Sequence, residues 1–245
     1  MNEVTKLLQS HQSIRKFTKQ FIPDHYVSEI IRSAQVASTS SFVQAYSIVG
    51  VTDQTLKDEL AVLGGNQDYI AQCPLFLVFC ADLHRLSLAS EMHGEPMKYA
   101  YTEAFIIATV DASLAAQNAM VAAESLGLGG VYIGGIRNNP EPISQLLNLP
   151  EKVYPVFGMC LGFPNSDPGV KPRLPLEAIY HPNRYNKDNQ KDLLEQYDQQ
   201  ISQYYTERTG GKRTDSWTKQ MSQRMNKEHR LHIKSFLENR GFGFK

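Results

Sequence analysis

Cysteine is scarce here, three residues in 245, an odd number with no C-x-x-C pair. That excludes a disulfide framework and a cysteine-based metal site as organising devices. Cys80 and Cys160 lie in apolar runs, where a buried free thiol is the expectation, and a reducing cytoplasm is the compartment this fits. No charge of one sign dominates, with 25 Lys+Arg against 25 Asp+Glu, so no global field points to nucleic acid or a membrane surface. No clean apolar run of membrane length occurs either. The most apolar window, 104–123, is interrupted by Asp111, Gln117 and Asn118, which a bilayer would rarely accept. Met1–Ser10 is polar with a helical pattern, unlike a signal peptide. Also missing are G-x-S-x-G, G-x-x-x-x-G-K-[ST], H-E-x-x-H and G-x-G-x-x-G. Their absence argues against a nucleophile-elbow hydrolase, a P-loop, a zinc protease and a Rossmann dinucleotide site, and no metal is expected.

What is present is organised around 111–139, DASLAAQNAMVAAESLGLGGVYIGGIRNN. Alanines at 104, 108, 112, 116, 119 and 123 recur at three and four, a small-residue stripe that lets another helix come close. Gly127, Gly129 and Gly130 are expected to stop the helix. Val131–Ile133 is a β-prone run. Gly134-Gly135 then offers backbone N–H groups that no side chain screens, or else only an ordinary turn.

Along the chain, Glu3–Gln9 reads as a short amphipathic helix. Residues 11–17 read as an extended segment showing His11, Ser13 and Arg15 to one side. Ile22-Pro23-Asp24 opens a helix whose buried face is Ile30, Ile31, Ala34 and Ala37. A hydroxyl-rich loop, 38–42, precedes a strand at Tyr46–Thr52, and Asp53 is expected to cap a helix that Gly64-Gly65-Asn66-Gln67 ends. Pro74–Ala81 and Val156–Phe163 read as buried strands. The stretch 84–102 reads as a surface excursion and Asn139–Leu147 as a helix. Leu193–Tyr205 is expected to be helical, Gly210-Gly211 a loose turn, and Lys227–Leu237 a last basic helix. Strands alternating with helices predict an α+β layered sandwich in one domain, 1–245, with a helical, basic extension over 181–245. From Thr206 onward ten Lys/Arg face four Asp/Glu, net +6, leaving 1–205 at −6. Such a tail reads as a solvated face, a nucleic-acid arm or an anion site. The interleaved aromatics of a nucleic-acid stacking platform are lacking, so no nucleic-acid partner is expected.

Two short displays of anion-binding groups stand far apart in sequence: His11, Ser13 and Arg15, and Lys171 and Arg173 in a proline-stiffened loop. Singly each reads as a surface feature. Together with the glycine platform they suggest a nucleotide phosphate. At this point the chain resembles the FMN-dependent nitroreductase superfamily, specifically the oxygen-insensitive NADPH nitroreductase and NADPH–flavin oxidoreductase group. The resemblance rests on H-Q-S-I-R (11–15), S-S-F-V-Q (40–44), G-G-N-Q (64–67), A-A-E-S-L-G-L-G-G-V-Y-I-G-G-I-R-N-N (122–139), L-G-F-P (161–164), K-P-R-L-P (171–175) and Q-Y-D-Q-Q…Y-Y (196–205).

The resemblance implies a nitroreductase-like intertwined homodimer with FMN as cofactor and NADPH as co-substrate. His11, Ser13, Lys171 and Arg173 would hold the FMN phosphate, and Arg15 the N1/C2-carbonyl edge of the ring. Gln67 would bond the ribityl or pyrimidine part. Tyr132, Ile133, Gly134 and Gly135 would lie along the ring, and Thr39 and Ser41 would line the cleft. Phe42 would face the substrate, with Arg208, Lys227 and Arg230 expected on the NADPH side. The flavin would carry the chemistry, with no catalytic side chain, in ping-pong turnover with nitroaromatics, quinones or free flavin. The rival expectations are a redox-silent FMN sensor and an enzyme of the same fold with other substrate chemistry.

Overall fold

The computed structural model describes residues 1–98 and 100–245. The chain divides into two compact units, one of Met1–Pro168 with Arg230–Lys245 and one of Gly169–His229.

The first unit is built on a four-stranded sheet of β1 (Tyr46–Val51), β2 (Leu75–Asp82), β3 (Gly129–Ile133) and β4 (Val153–Gly162). The strand order is β1-β2-β4-β3 and every pair is antiparallel. All of β2 is buried because both its faces are covered. Leu75, Leu77, Phe79 and Ala81 face a core shared with α2 (Asp24–Gln35) and α6 (Thr102–Ser125). Phe76, Val78 and Cys80 face a second core shared with α3 (Gln54–Leu63), α4 (Asp68–Gln72) and α7 (Pro140–Leu146). Two covered faces are why this strand reads as one unbroken apolar run instead of an alternating one. Helices on both sides of an antiparallel sheet give the expected α+β sandwich.

The α6 helix is long and apolar enough to cross a membrane by length and composition. Instead its alanines at 104, 108, 112, 115, 116, 119 and 123 are buried in protein, and α2 packs against it. The stripe is therefore consumed within the chain. The other side of α6 leaves Ile106, Val110 and Leu114 exposed. A cap closes the helix, with Leu128 N–H on Ala123 O (3.0 Å) and Gly127 at φ 79°, the left-handed position that favours glycine. As expected, α1 spans Glu3–Gln9, and Asp53 caps α3 by accepting Leu56 N–H at 2.9 Å.

The stretch 84–102, whose described residues are mostly exposed, contains a helix, α5 (His84–Met92). Two expectations are corrected. Ala37 lies beyond the end of α2 at Gln35 and packs on the core from the following turn. No single helix covers 227–237. Instead α10 (Trp217–Met225) ends early and α11 (Ile233–Asn239) starts late, with Arg230 between them at φ 54°, which breaks helical continuity.

In the second unit, α8 (Leu176–Ile179), α9 (Gln190–Thr209) and α10 surround a small core of Tyr197, Ile201 and Tyr205 with Leu174, Tyr204 and Trp217. Asp198 on α9 accepts Thr218 N–H at 2.8 Å, tying α10 to α9. Arg230–Lys245, the end of the basic extension, belongs to the first unit.

Candidate functional site

Two sequence motifs, GGNQ at 64–67 and GGIRNN at 134–139, interlock. Gln67 donates Nε2–H to Gly64 O (2.6 Å) and accepts the Tyr69 hydroxyl. Asn138 donates to the same Gly64 O (3.4 Å), Asn139 donates to Leu63 O (2.8 Å), and Asn138 N–H donates to Gly135 O (2.8 Å). A Cβ on Gly135 would stand 2.1 Å from both Gly64 O and Gln67 Nε2. Gly135 is thus a packing glycine, buried, and not an open platform. Gly134 differs. Its nearest neighbour for an added Cβ is Arg137 Nη2 at 3.5 Å, and its φ is not left-handed. Neither packing nor conformation demands glycine at 134, which is half-buried.

The residues before the turn also separate. Ile133 is buried in the core, so only its backbone is available to a ligand, whereas Tyr132 keeps about a third of its surface, 36%, exposed and the rest packed. The Tyr132 ring stands edge-on to Phe157 (5.3 Å). Burial, and secondly the Glu124 carboxylate, push its phenol well above the ordinary value, so it stays protonated.

The segment at 11–15 lies beside β3, since Ser13 bridges to Gly130 and Ile14 donates to Gly130 O at 2.9 Å. Burial of Ile14 turns its neighbours outward, as the alternation predicts. His11 meets Glu124 through Nδ1 at 2.5 Å, which leaves Nε2 facing away from that partner. Arg15 is exposed, and its guanidinium makes a long 3.5 Å hydrogen bond to Ser13 O.

The hydroxyl loop holds a feature that sequence reasoning passed over. Ser41, Phe42 and Gln44 take φ of 45°, 59° and 52°, a conformation that costs non-glycine residues on the order of 1–3 kcal/mol each where it is strained. Thr39 Oγ1 accepts Gln44 N–H at 3.4 Å. Phe42 is 81% exposed, so a large aromatic is displayed to solvent on a fixed backbone. Fully buried Asp111 accepts the N–H groups of Ser40 and Ala45, both at 3.0 Å. A carboxylate inside an alanine face was the available signal.

In the second unit, Tyr197 donates its hydroxyl to Pro172 O (2.9 Å), fixing the KPRLP turn on α9. Arg173 donates to Lys171 O (2.9 Å), and both side chains are exposed. Lys171 Nζ stands 5.3 Å from the Tyr205 ring, and the Arg213 guanidinium 3.8 Å from it on the same ring. Burial pushes the Tyr205 phenol up, but the Lys171 hydrogen bond and the Lys171 and Arg213 charges outweigh it and bring it below the ordinary value. Arg213 also pairs with Asp215 (3.1 Å) and donates to Gln220 (2.6 Å), so it is committed, not loose. Arg208 is a helical residue, in the last turn of α9 rather than in a loop, and donates to the Tyr204 hydroxyl.

Lys227 and Arg230 do not share a helix face. Lys227 lies in the bend after α10, while Arg230, in the other unit, donates Nε–H to Asn138 Oδ1 at 2.9 Å. Arg230 therefore braces the glycine turn, together with His232, whose Nε2 meets Arg137 O at 3.1 Å.

Residues 8–163 match the Nitroreductase family and residues 171–245 match the Nitroreductase family, C-terminal domain. The chain belongs to the nitroreductase family. Among relatives, this nitroreductase is 44% identical over 246 residues to FMN reductase (NADPH) of Bacillus subtilis, covering 99% of each chain. It is 42% identical to the oxygen-insensitive NADPH nitroreductase of Salmonella typhimurium, again covering 99% of each. Among solved structures, B. megaterium NfrA1 superposes with a TM-score of 0.96 at 45% identity, covering 98% of this chain and 99% of that one. The Vibrio harveyi NADPH:FMN oxidoreductase complexed with NAD+ gives 0.91 at 39% identity, with both chains fully covered.

Proposed function

We propose that this chain is an NADPH-dependent FMN oxidoreductase that passes two electrons to nitroaromatics, quinones, free flavin or similar small acceptors. The observation that carries the reading is Gly134, a glycine required neither by its backbone angle nor by its neighbours, which leaves room for a flat ring against the main chain. Within the first unit the residues present fit FMN: a backbone at Gly134 that no side chain needs to cover and an exposed guanidinium at Arg15. Relatives with these activities cover the full chain. When bound, FMN supplies the redox chemistry, so no side chain has to act as catalytic acid or base.

Arg15 is assigned the N1/C2-carbonyl edge of the ring, where its cation stabilises the charge gained on reduction. Ser13, His11 through Nε2, Lys171 and Arg173 are assigned the phosphate. Gln67, Thr39 and Ser41 line the cofactor, with Tyr132, Ile133 and Gly135 behind Gly134. Phe42 is assigned the acceptor side, and Arg208 and Lys227 the NADPH phosphate. NADPH and acceptor use one cleft in turn, in ping-pong fashion.

The decisive experiment is the absorbance spectrum of the purified protein followed by anaerobic titration, first with NADPH and then with NADH. Bound flavin bleached by one equivalent of NADPH, then reoxidised by menadione, is the expected result. A yellow protein that NADPH does not bleach would be a redox-silent binder, and a colourless one that takes up no FMN would refute the cofactor.

A cytoplasmic homodimer is part of the same reading. The exposed Ile106, Val110 and Leu114 share one side of α6 at intervals of four, the row that another copy would cover. Val110→Asp is expected to sediment as a monomer where wild type sediments as a dimer. A dimeric variant would move the interface elsewhere.

A further inference from the structure

Asp111 has none of the roles assigned above, yet it occupies a costly place. A carboxylate in the middle of a buried alanine face loses its hydration, and an alanine there would simply continue the stripe. What the carboxylate gains is two backbone N–H groups, from Ser40 and Ala45, each at 3.0 Å. Those amides bracket the segment in which Ser41, Phe42 and Gln44 hold left-handed φ. Such conformations persist only where the surroundings over-determine them. Here the loop is gripped from the core by Asp111 and across its neck by Thr39 on Gln44 N–H. From outside, Arg85 Nη1 donates to Gln44 O at 3.2 Å. A carboxylate accepts both amides at once, whereas an amide side chain offers one acceptor and one donor.

We propose that Asp111 is a positioning residue for acceptor binding: it holds the 39–45 loop in the shape that presents Phe42 toward the acceptor, while touching neither cofactor nor substrate. The inference rests on the NADPH–FMN reading above.

The test is Asp111→Asn in the FMN-loaded enzyme, read by steady-state kinetics with menadione and nitrofurazone and by hydrogen exchange over 38–46. Asparagine turns an N–H donor toward one of the two amides and releases it. Faster exchange over 38–46 is expected, with both acceptor KM values raised roughly tenfold and kcat held within about twofold. Flavin stoichiometry should be unchanged. Faster exchange or a lower Tm with unchanged KM would make Asp111 merely structural and overturn the proposal.

If that variant does not fold, Gln44→Pro reshapes the loop from its exposed side, because proline imposes φ near −65° and removes the N–H that Thr39 holds. The same rise in KM is expected, and unchanged KM overturns the proposal equally. Wild type that neither binds FMN nor oxidises NADPH overturns the underlying reading as well, whereas normal wild-type turnover with unmoved variant KM values overturns this inference alone.

Discussion

Gly134→Val is expected to yield a folded, colourless protein. The valine Cβ would meet Arg137 Nη2, the far end of a flexible side chain, at 3.5 Å, and the backbone there is not left-handed. The chain itself should therefore tolerate the substitution, while the branched side chain would fill the space through which, on the reading proposed above, a ring edge would reach the main chain. Gly134→Ala should fall between the two. Gly135→Ala is the opposite case, since its Cβ would lie 2.1 Å from the Gly64 carbonyl. Overpacking against backbone should destabilise the fold by about 1–3 kcal/mol whether or not flavin is present. Thermal melts separate the two glycines, and flavin absorbance after reconstitution with FMN reads the site. A yellow, active Gly134→Val protein would place the ring elsewhere.

Arg208→Ala should raise the KM for NADPH by roughly ten- to a hundredfold while leaving NADH kinetics nearly unchanged. The basis is one guanidinium–phosphate contact, on the order of 1.5–3 kcal/mol. Arg208 suits this because its place in the last turn of α9 fixes where it points. Its guanidinium is held 5.7 Å from the Tyr204 ring and bonded to that hydroxyl, and no carboxylate among the described residues pairs with it. Its charge also sits favourably at the negative end of the helix. Being exposed, the contact should weaken with added salt, so steady-state runs with both nucleotides at two ionic strengths give the check. Equal slowing with NADPH and NADH, or a wild type that does not distinguish them, would leave Arg208 without this role.

Much of this architecture was legible in the sequence because the signals were local and strong. The unbroken apolar run at 74–81 lies in a strand buried on both faces, the alanine periodicity marks the core face of α6, and Asp53 caps α3 as its position predicts. Readings failed where a tertiary contact decided the outcome. The helical pattern over 227–237 breaks at Arg230, whose side chain is drawn to Asn138. Gly134 and Gly135 look alike in sequence, but only the packing of Gly64 and Gln67 against Gly135 tells them apart. Beyond the loose turn expected at Gly210-Gly211, Arg213 stacks on Tyr205 and pairs with Asp215. Asp111 was visible as an anomaly, but its meaning depends on two amides more than sixty residues away in the chain.

The burial of all three cysteines bears on how long such a catalyst survives its own work. Quinones before reduction and nitroso compounds after partial nitro reduction are soft electrophiles that attack thiolates, so such acceptors would bring a potential inactivator beside the protein. Thiols are attacked as the anion and only where reagent can reach them. Burial here denies both conditions, pushing the Cys80 and Cys160 thiols far above their ordinary values. The nucleophiles are packed into the sheet core rather than lining the cleft, which gives a chain handling such acceptors a built-in resistance to suicide inactivation.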